Sequence, residues 1–124
     1  MSAGPTWIAA GALCCAVAVV AGAFGAHGLK ARLDADALAL WETAARYLIY
    51  GGFGVVLVGL AGLRATVRGL DAAAVCLLAG SLIFSLTVAL LALGAPRWLG
   101  AVTPFGGALM IFGFVLFAVA AFRM

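Results

Sequence analysis

The sequence predicts an all-α integral membrane protein with four transmembrane helices in an antiparallel up-down bundle. Three observations carry that expectation. Only 9% of the 124 residues are charged and 68% are hydrophobic, whereas soluble domains carry roughly a quarter charged residues because water meets their whole surface. The charges fall between four long uncharged runs: Met1 to Ala26, Tyr47 to Leu63, Ala72 to Pro96 and Trp98 to Phe122. About 20 apolar residues, with about 17 as the minimum, carry a helix across the hydrocarbon. A helix also satisfies its own backbone N–H and C=O groups where no water can reach them. The length suits a single domain, residues 1–124.

Helix one is expected over about residues 5–27, with Trp7 at its first interface. The run lacks the basic leading region of a cleaved signal peptide and is expected to be retained. Its far end is rich in small residues. Gly22 and Ala26 form a small-xxx-small pair, with Gly25 beside them, so a neighbouring helix can approach closely there. Gly28 supplies a helix stop.

Asp36 is placed to cap a second helix over about residues 37–63. Leu38, Trp41, Ala45 and Leu48 share one apolar face of it, while Glu42 and Arg46 share another. Its first part is expected in the headgroup zone, before Gly51, Gly52, Gly54 and Gly59 offer packing surface within the membrane. Asp71 is placed to cap helix three, residues 72–93, which Gly94 and Pro96 end. Ser81 and Ser85 lie four apart on it, suited to bonds with their own backbone or a neighbour. Arg97 and Trp98 mark an interface. Thr103 and Pro104 then read as cap and first residue of helix four, about 104–122, with Gly106 and Gly107 as packing positions. Connections this short make sequential helices antiparallel neighbours.

The net charge of +3 and pI near 9.1 do not point to nucleic acid, because the basic residues are scattered at helix ends. Lys30, Arg32, Arg46 and Arg97 fall toward one side, and Arg64, Arg68 and Arg123 toward the other. So even a balance leaves orientation open under the positive-inside rule and suits a dual-topology protein.

The strings Gly22-Ala23-Phe24-Gly25-Ala26-His27-Gly28-Leu29, Thr43-Ala44-Ala45-Arg46-Tyr47, Gly80-Ser81-Leu82 and Thr103-Pro104-Phe105-Gly106-Gly107 resemble the transmembrane-protein-256-like family. These are small four-helix membrane proteins of bacteria and animals. The resemblance runs in matching order over nearly the whole chain, with the first string its most specific part. It implies a four-helix membrane fold and no particular activity. Family members typically carry a second histidine shortly after the Arg-Tyr pair, where this chain has Tyr50-Gly51-Gly52. A function that needs two histidines is therefore not expected here.

The chemically dense stretch is Gly22 to Tyr47, which holds the only histidine. In a hairpin of helices one and two, His27 ends one helix where Glu42 and Arg46 enter the other. Glu42 and Arg46 stand four apart with the acid first, the better orientation for an ion pair. A His27–Glu42–Arg46 cluster is the candidate polar site. An imidazole beside a carboxylate is the pattern of a proton relay. The structural alternative is that Arg46 snorkels, Glu42 neutralises it and His27 satisfies a helix end.

No catalytic, cofactor or metal site is expected. Cys14, Cys15 and Cys76 lie in apolar runs as packing thiols, and a lone histidine with one intramembrane acid makes no metal set. Ser81 and Ser85 lack a base nearby in sequence, and the glycines do not form a phosphate loop. Trp7, Trp41, Tyr47, Tyr50 and Trp98 read as aromatic belts. The expected function is non-enzymatic: an accessory subunit of a larger membrane complex, or a homo-oligomer, in a bacterial inner membrane. The partners are then lipid and other membrane subunits or further copies, with no nucleic acid. The alternative is a small oligomeric transporter or channel using His27, Glu42 and Arg46, and a lipid-directed enzyme ranks third.

Overall fold

The computed structural model describes residues 3–124 as four α-helices and one short 3-10 turn, with no strand among the described residues. The helices are α1 (Gly4–His27), α2 (Ala35–Arg64), α3 (Leu70–Ala92) and α4 (Leu99–Phe122), with the turn at Leu29–Ala31. Each is long and apolar enough to cross a membrane.

Helix starts lie upstream of the positions expected from sequence. The α2 cap is Asp34, not Asp36: its carboxylate accepts from the Ala37 amide at 2.8 Å. Asp36 then falls in the first turn, where the exposed N–H groups favour a negative charge. From there α2 runs unbroken for 30 residues, so the part before Tyr47 and the membrane-crossing part form one continuous helix. Helix α3 begins at Leu70 from Gly69, whose φ of +102° is costly for any residue with a Cβ. Asp71 is therefore inside the first turn and does not cap. At the other end Gly94 takes φ +95°. The Gly94 amide donates to Leu91 O at 3.1 Å and the Ala95 amide to Leu90 O at 2.9 Å, a Schellman stop. Helix α4 starts at Leu99, leaving Thr103 and Pro104 within it. Pro104 is the sixth residue of the helix and has no amide to give the Gly100 carbonyl four residues back, yet α4 continues past it.

The pairing of helices is antiparallel, as the contacts along α1 and α2 show. Gly4 lies against Gly59, Gly11 against Gly52 and Gly25 against Trp41. On α3 and α4, Gly80 meets Gly106 and Leu77 meets Gly113. Helices α2 and α3 form the central pair, with α1 packed on α2 and α4 on α3. The core lies where α2, α3 and the end of α4 converge, around Val55, Val58, Leu77 and Ala120.

A seven-residue repeat of small side chains explains these contacts. The buried residues of α1 are Gly4, Gly11, Ala18 and Gly25, and Gly106, Gly113 and Ala120 repeat the spacing on α4. A strict seven-residue stripe drifts slowly around a straight helix, so keeping it in contact gives a shallow left-handed crossing. A Cβ on Gly11 would stand 2.6 Å from Gly52 O, one on Gly59 2.7 Å from Gly4 O, and one on Gly80 2.7 Å from Gly106 O. No side chain fits at such distances.

Several expected packing positions differ. Gly22 has nothing within 4 Å of where a Cβ would stand, and Ala26 is exposed. At 100° per residue, Gly22 lies about 60° and Ala26 about 100° around α1 from the buried Gly25. A Cβ on Gly107 would meet the Phe84 side chain only at an ordinary distance, 3.7 Å, whereas one on Gly106 would meet the Phe84 amide nitrogen at 2.5 Å.

Gly11→Leu should therefore destabilise the protein by at least the ~1–3 kcal/mol typical of overpacking. Gly22→Leu should leave stability unchanged or slightly raised, because a better helix former replaces glycine in open space. Thermal unfolding of both variants in the same detergent makes the comparison, and equal loss at both sites would contradict the packing described.

Candidate functional site

His27 is the last residue of α1 and is exposed, as are Glu42 and Arg46 on α2. Among the described residues no hydrogen bond or ion pair joins the three side chains. The expected polar cluster does not assemble, and the reason is rotational. Trp41 is the residue α2 turns toward α1, and Glu42 follows it by about 100° around the helix. Glu42 and Arg46 thus share an edge of α2 that points away from the hairpin seam. No group of three or more His, Cys, Asp and Glu side chains is placed to hold a metal among the described residues.

Polar contacts occur elsewhere. The Trp41 Nε1–H donates to Ala21 O of α1 at 2.8 Å, and the same ring occupies the space beside Gly25, whose Cβ would lie 2.6 Å from Trp41 Cδ1. Trp41 is thus a packing residue between α1 and α2. Tyr47 and Tyr50 lie mid-helix, away from the ends where an interfacial belt would sit, 5.2 Å apart edge to face, with Tyr47 4.6 Å from Phe84. Thr87 and Thr103 join α3 to α4 through their hydroxyls at 2.7 Å, one donating to the other. At the opposite end of the molecule the Trp7 Nε1–H donates to Asp71 Oδ1 at 2.8 Å, tying α1 to α3.

Two hollows adjoin these contacts. A cleft of about 370 Å³ lies at the α2–α3 turn, bordered by Trp7, Arg68 and Asp71. A second, of about 200 Å³, is lined by α1, α2 and α3 near Trp41 and open on one side, and its accessible wall is entirely carbon. Ser85 belongs to that wall and is only 6% exposed. Its Oγ is the one buried side-chain oxygen without a partner among the described residues. The contrast with its neighbours is sharp, because Ser81 bonds back to Leu78 O and Thr87 to Ile83 O. An unmet buried hydroxyl typically costs about 1–3 kcal/mol. Sequence pointed to Ser81 and Ser85 as a pair but had no means to separate the satisfied from the unsatisfied hydroxyl. The seven-residue stripe Gly4–Gly11–Ala18–Gly25, by contrast, was visible as spacing, hidden behind the shorter Gly22–Ala26 motif.

A fold of four apolar helices with polar groups at their ends and few inside defines a small polytopic integral membrane protein. Residues 21–107 match the family described as "Protein of unknown function (DUF423)", and the chain belongs to that family. It is similar to UPF0382 membrane proteins of Staphylococcus haemolyticus, 37% identical over 94% of this chain and 95% of the relative, and Staphylococcus epidermidis, 38% over the same shares. The corresponding protein of Staphylococcus saprophyticus is 36% identical over 95% of this chain and 98% of the relative. These relatives and the four spans agree with a bacterial inner-membrane protein. No solved structure matches the chain.

Two stability outcomes follow from this geometry. In a double-mutant cycle, Glu42→Ala and Arg46→Ala should couple by no more than the ~0.5 kcal/mol of an exposed helical pair. A coupling several times larger would place the two charges in contact. Ser85→Ala should hold or raise thermal stability, since it removes an unmet hydroxyl without breaking a bond. A clear loss in the melt would show that Ser85 has a structural partner.

Proposed function

We propose that the protein is a non-catalytic membrane-embedded assembly subunit, acting as a homo-oligomer or as a small accessory component of a larger membrane complex. The observation that supports this reading is the unequal burial of its helices. Half of the apolar window of α2 is buried within the chain, against 17% for α1 and 22% for α4. The outer helices thus spend their small-residue stripes on the central pair and turn large apolar side chains outward. Leu13, Val17 and Val20 on α1, with Phe105, Ile111 and Phe112 on α4, are all more than half exposed. Such faces are surfaces for lipid or for further helices. We infer also that transmembrane-protein-256-like chains share this architecture, on the strength of the GAFGAHGL string.

Purification in mild detergent followed by native mass spectrometry tests the proposal. The expected result is a fixed stoichiometry, either of this chain with itself or of this chain with larger membrane subunits. A monomer throughout, across detergents and in nanodiscs, would overturn it. His27→Gln should leave the assembly intact and vesicle proton flux at background, as in the wild type. A wild-type flux that this substitution abolishes would favour transport instead.

A further inference from the structure

The cavity beside Trp41 combines four properties that point to a ligand. Its volume, about 200 Å³, exceeds the ~150 Å³ of an apolar cavity that takes up benzene. Its surface is carbon, and the indole of Trp41 forms a fixed part of it, held by the bond to Ala21 O and the close fit at Gly25. At its rim Val17 and Leu86 are each 58% exposed, so the mouth opens sideways into the hydrocarbon and not toward water. The fourth property is Ser85, nine-tenths buried in the wall with an unpartnered hydroxyl.

Depth narrows the ligand. Ser85 lies seven residues before the end of α3 at Ala92, or about 10 Å below that end at 1.5 Å per residue. Water-borne solutes do not reach that level, and an acyl chain carries no hydrogen-bonding atom there. The remaining class is a bilayer-dissolved molecule that brings an oxygen into the hydrocarbon on a compact, flat frame. A planar ring suits the volume and the aromatic wall. A carbonyl on such a ring would accept the Ser85 O–H once the side chain turns to another staggered χ1 position. We propose that this cavity binds the ring of a quinone-type lipid, with Trp41 as its wall and Ser85 as its hydrogen-bond donor. The proposal does not rest on the assembly reading, but it requires that no second copy cover the mouth.

The probe is a short-tailed benzoquinone titrated into the protein in nanodiscs, with tryptophan fluorescence as readout. The expected result is a saturable quenching component at one quinone per chain. Ser85→Ala should weaken that component about fivefold, the equivalent of one ordinary hydrogen bond, while the protein melts no lower than wild type. Ala45→Leu, which fills the cavity from α2, should remove it. Quenching that rises linearly without saturation would overturn the proposal, as would saturable quenching that both variants leave unchanged. Equal competition by 1-octanol, which has a hydroxyl but no ring, would overturn the ring in favour of a chain-like occupant. Disulfide trapping between Val17→Cys of one copy and Leu86→Cys of another would place a second copy over the mouth and overturn it too.

Discussion

At Gly11 and Gly52, and again at Gly80 and Gly106, two helix backbones meet with no side chain between them. Everything else in the packing depends on those contacts. In a bilayer, lipid tails are as apolar as leucine, so helices gain little from burying hydrocarbon against each other and must gain from close fit. The seven-residue stripes on α1 and α4 supply that fit along the whole length of both outer helices. They leave α2 and α3 to carry the larger buried side chains, Val55, Val58 and Leu77.

The number, order and direction of the helices were legible because charge is excluded from hydrocarbon, and four uncharged runs leave few alternatives. The helix starts were less so. Asp34 and Asp36 are equally good cap residues, and only the backbone decides between them. Thr103-Pro104 imitates a helix start closely, yet Leu99 to Ala101 have no reason to remain irregular once an exposed turn can hydrogen-bond to Pro96 and Trp98. The candidate site was the least legible part. Spacing places Glu42 and Arg46 on one edge but does not say which edge α1 covers, and Trp41, one residue away, is the side chain that settles it.

Polar side chains of the bundle are mostly partnered: Ser81 bonds back to its own helix, and three contacts bridge helices. Trp7 with Asp71, Trp41 with Ala21 and Thr87 with Thr103 are each closed pairs that bridge two helices. They tie helices to one another. Ser85 is the exception, and it falls where three helices fail to fill the space between them. Unmet polarity and unfilled volume in one place are together more informative than either alone.

The length of α2 carries a consequence for how the protein sits. Thirty residues make a rod of about 45 Å, matching hydrocarbon and both headgroup layers together. Since Trp41 is level with Gly25 and Gly59 with Gly4, α2 projects beyond α1 at both ends. Asp36 and Arg64 stand near its two tips. A shift of the molecule toward either leaflet would draw one of those charges into oil. The central helix thus works as a stake driven through both surfaces, setting the vertical position that its shorter neighbours follow.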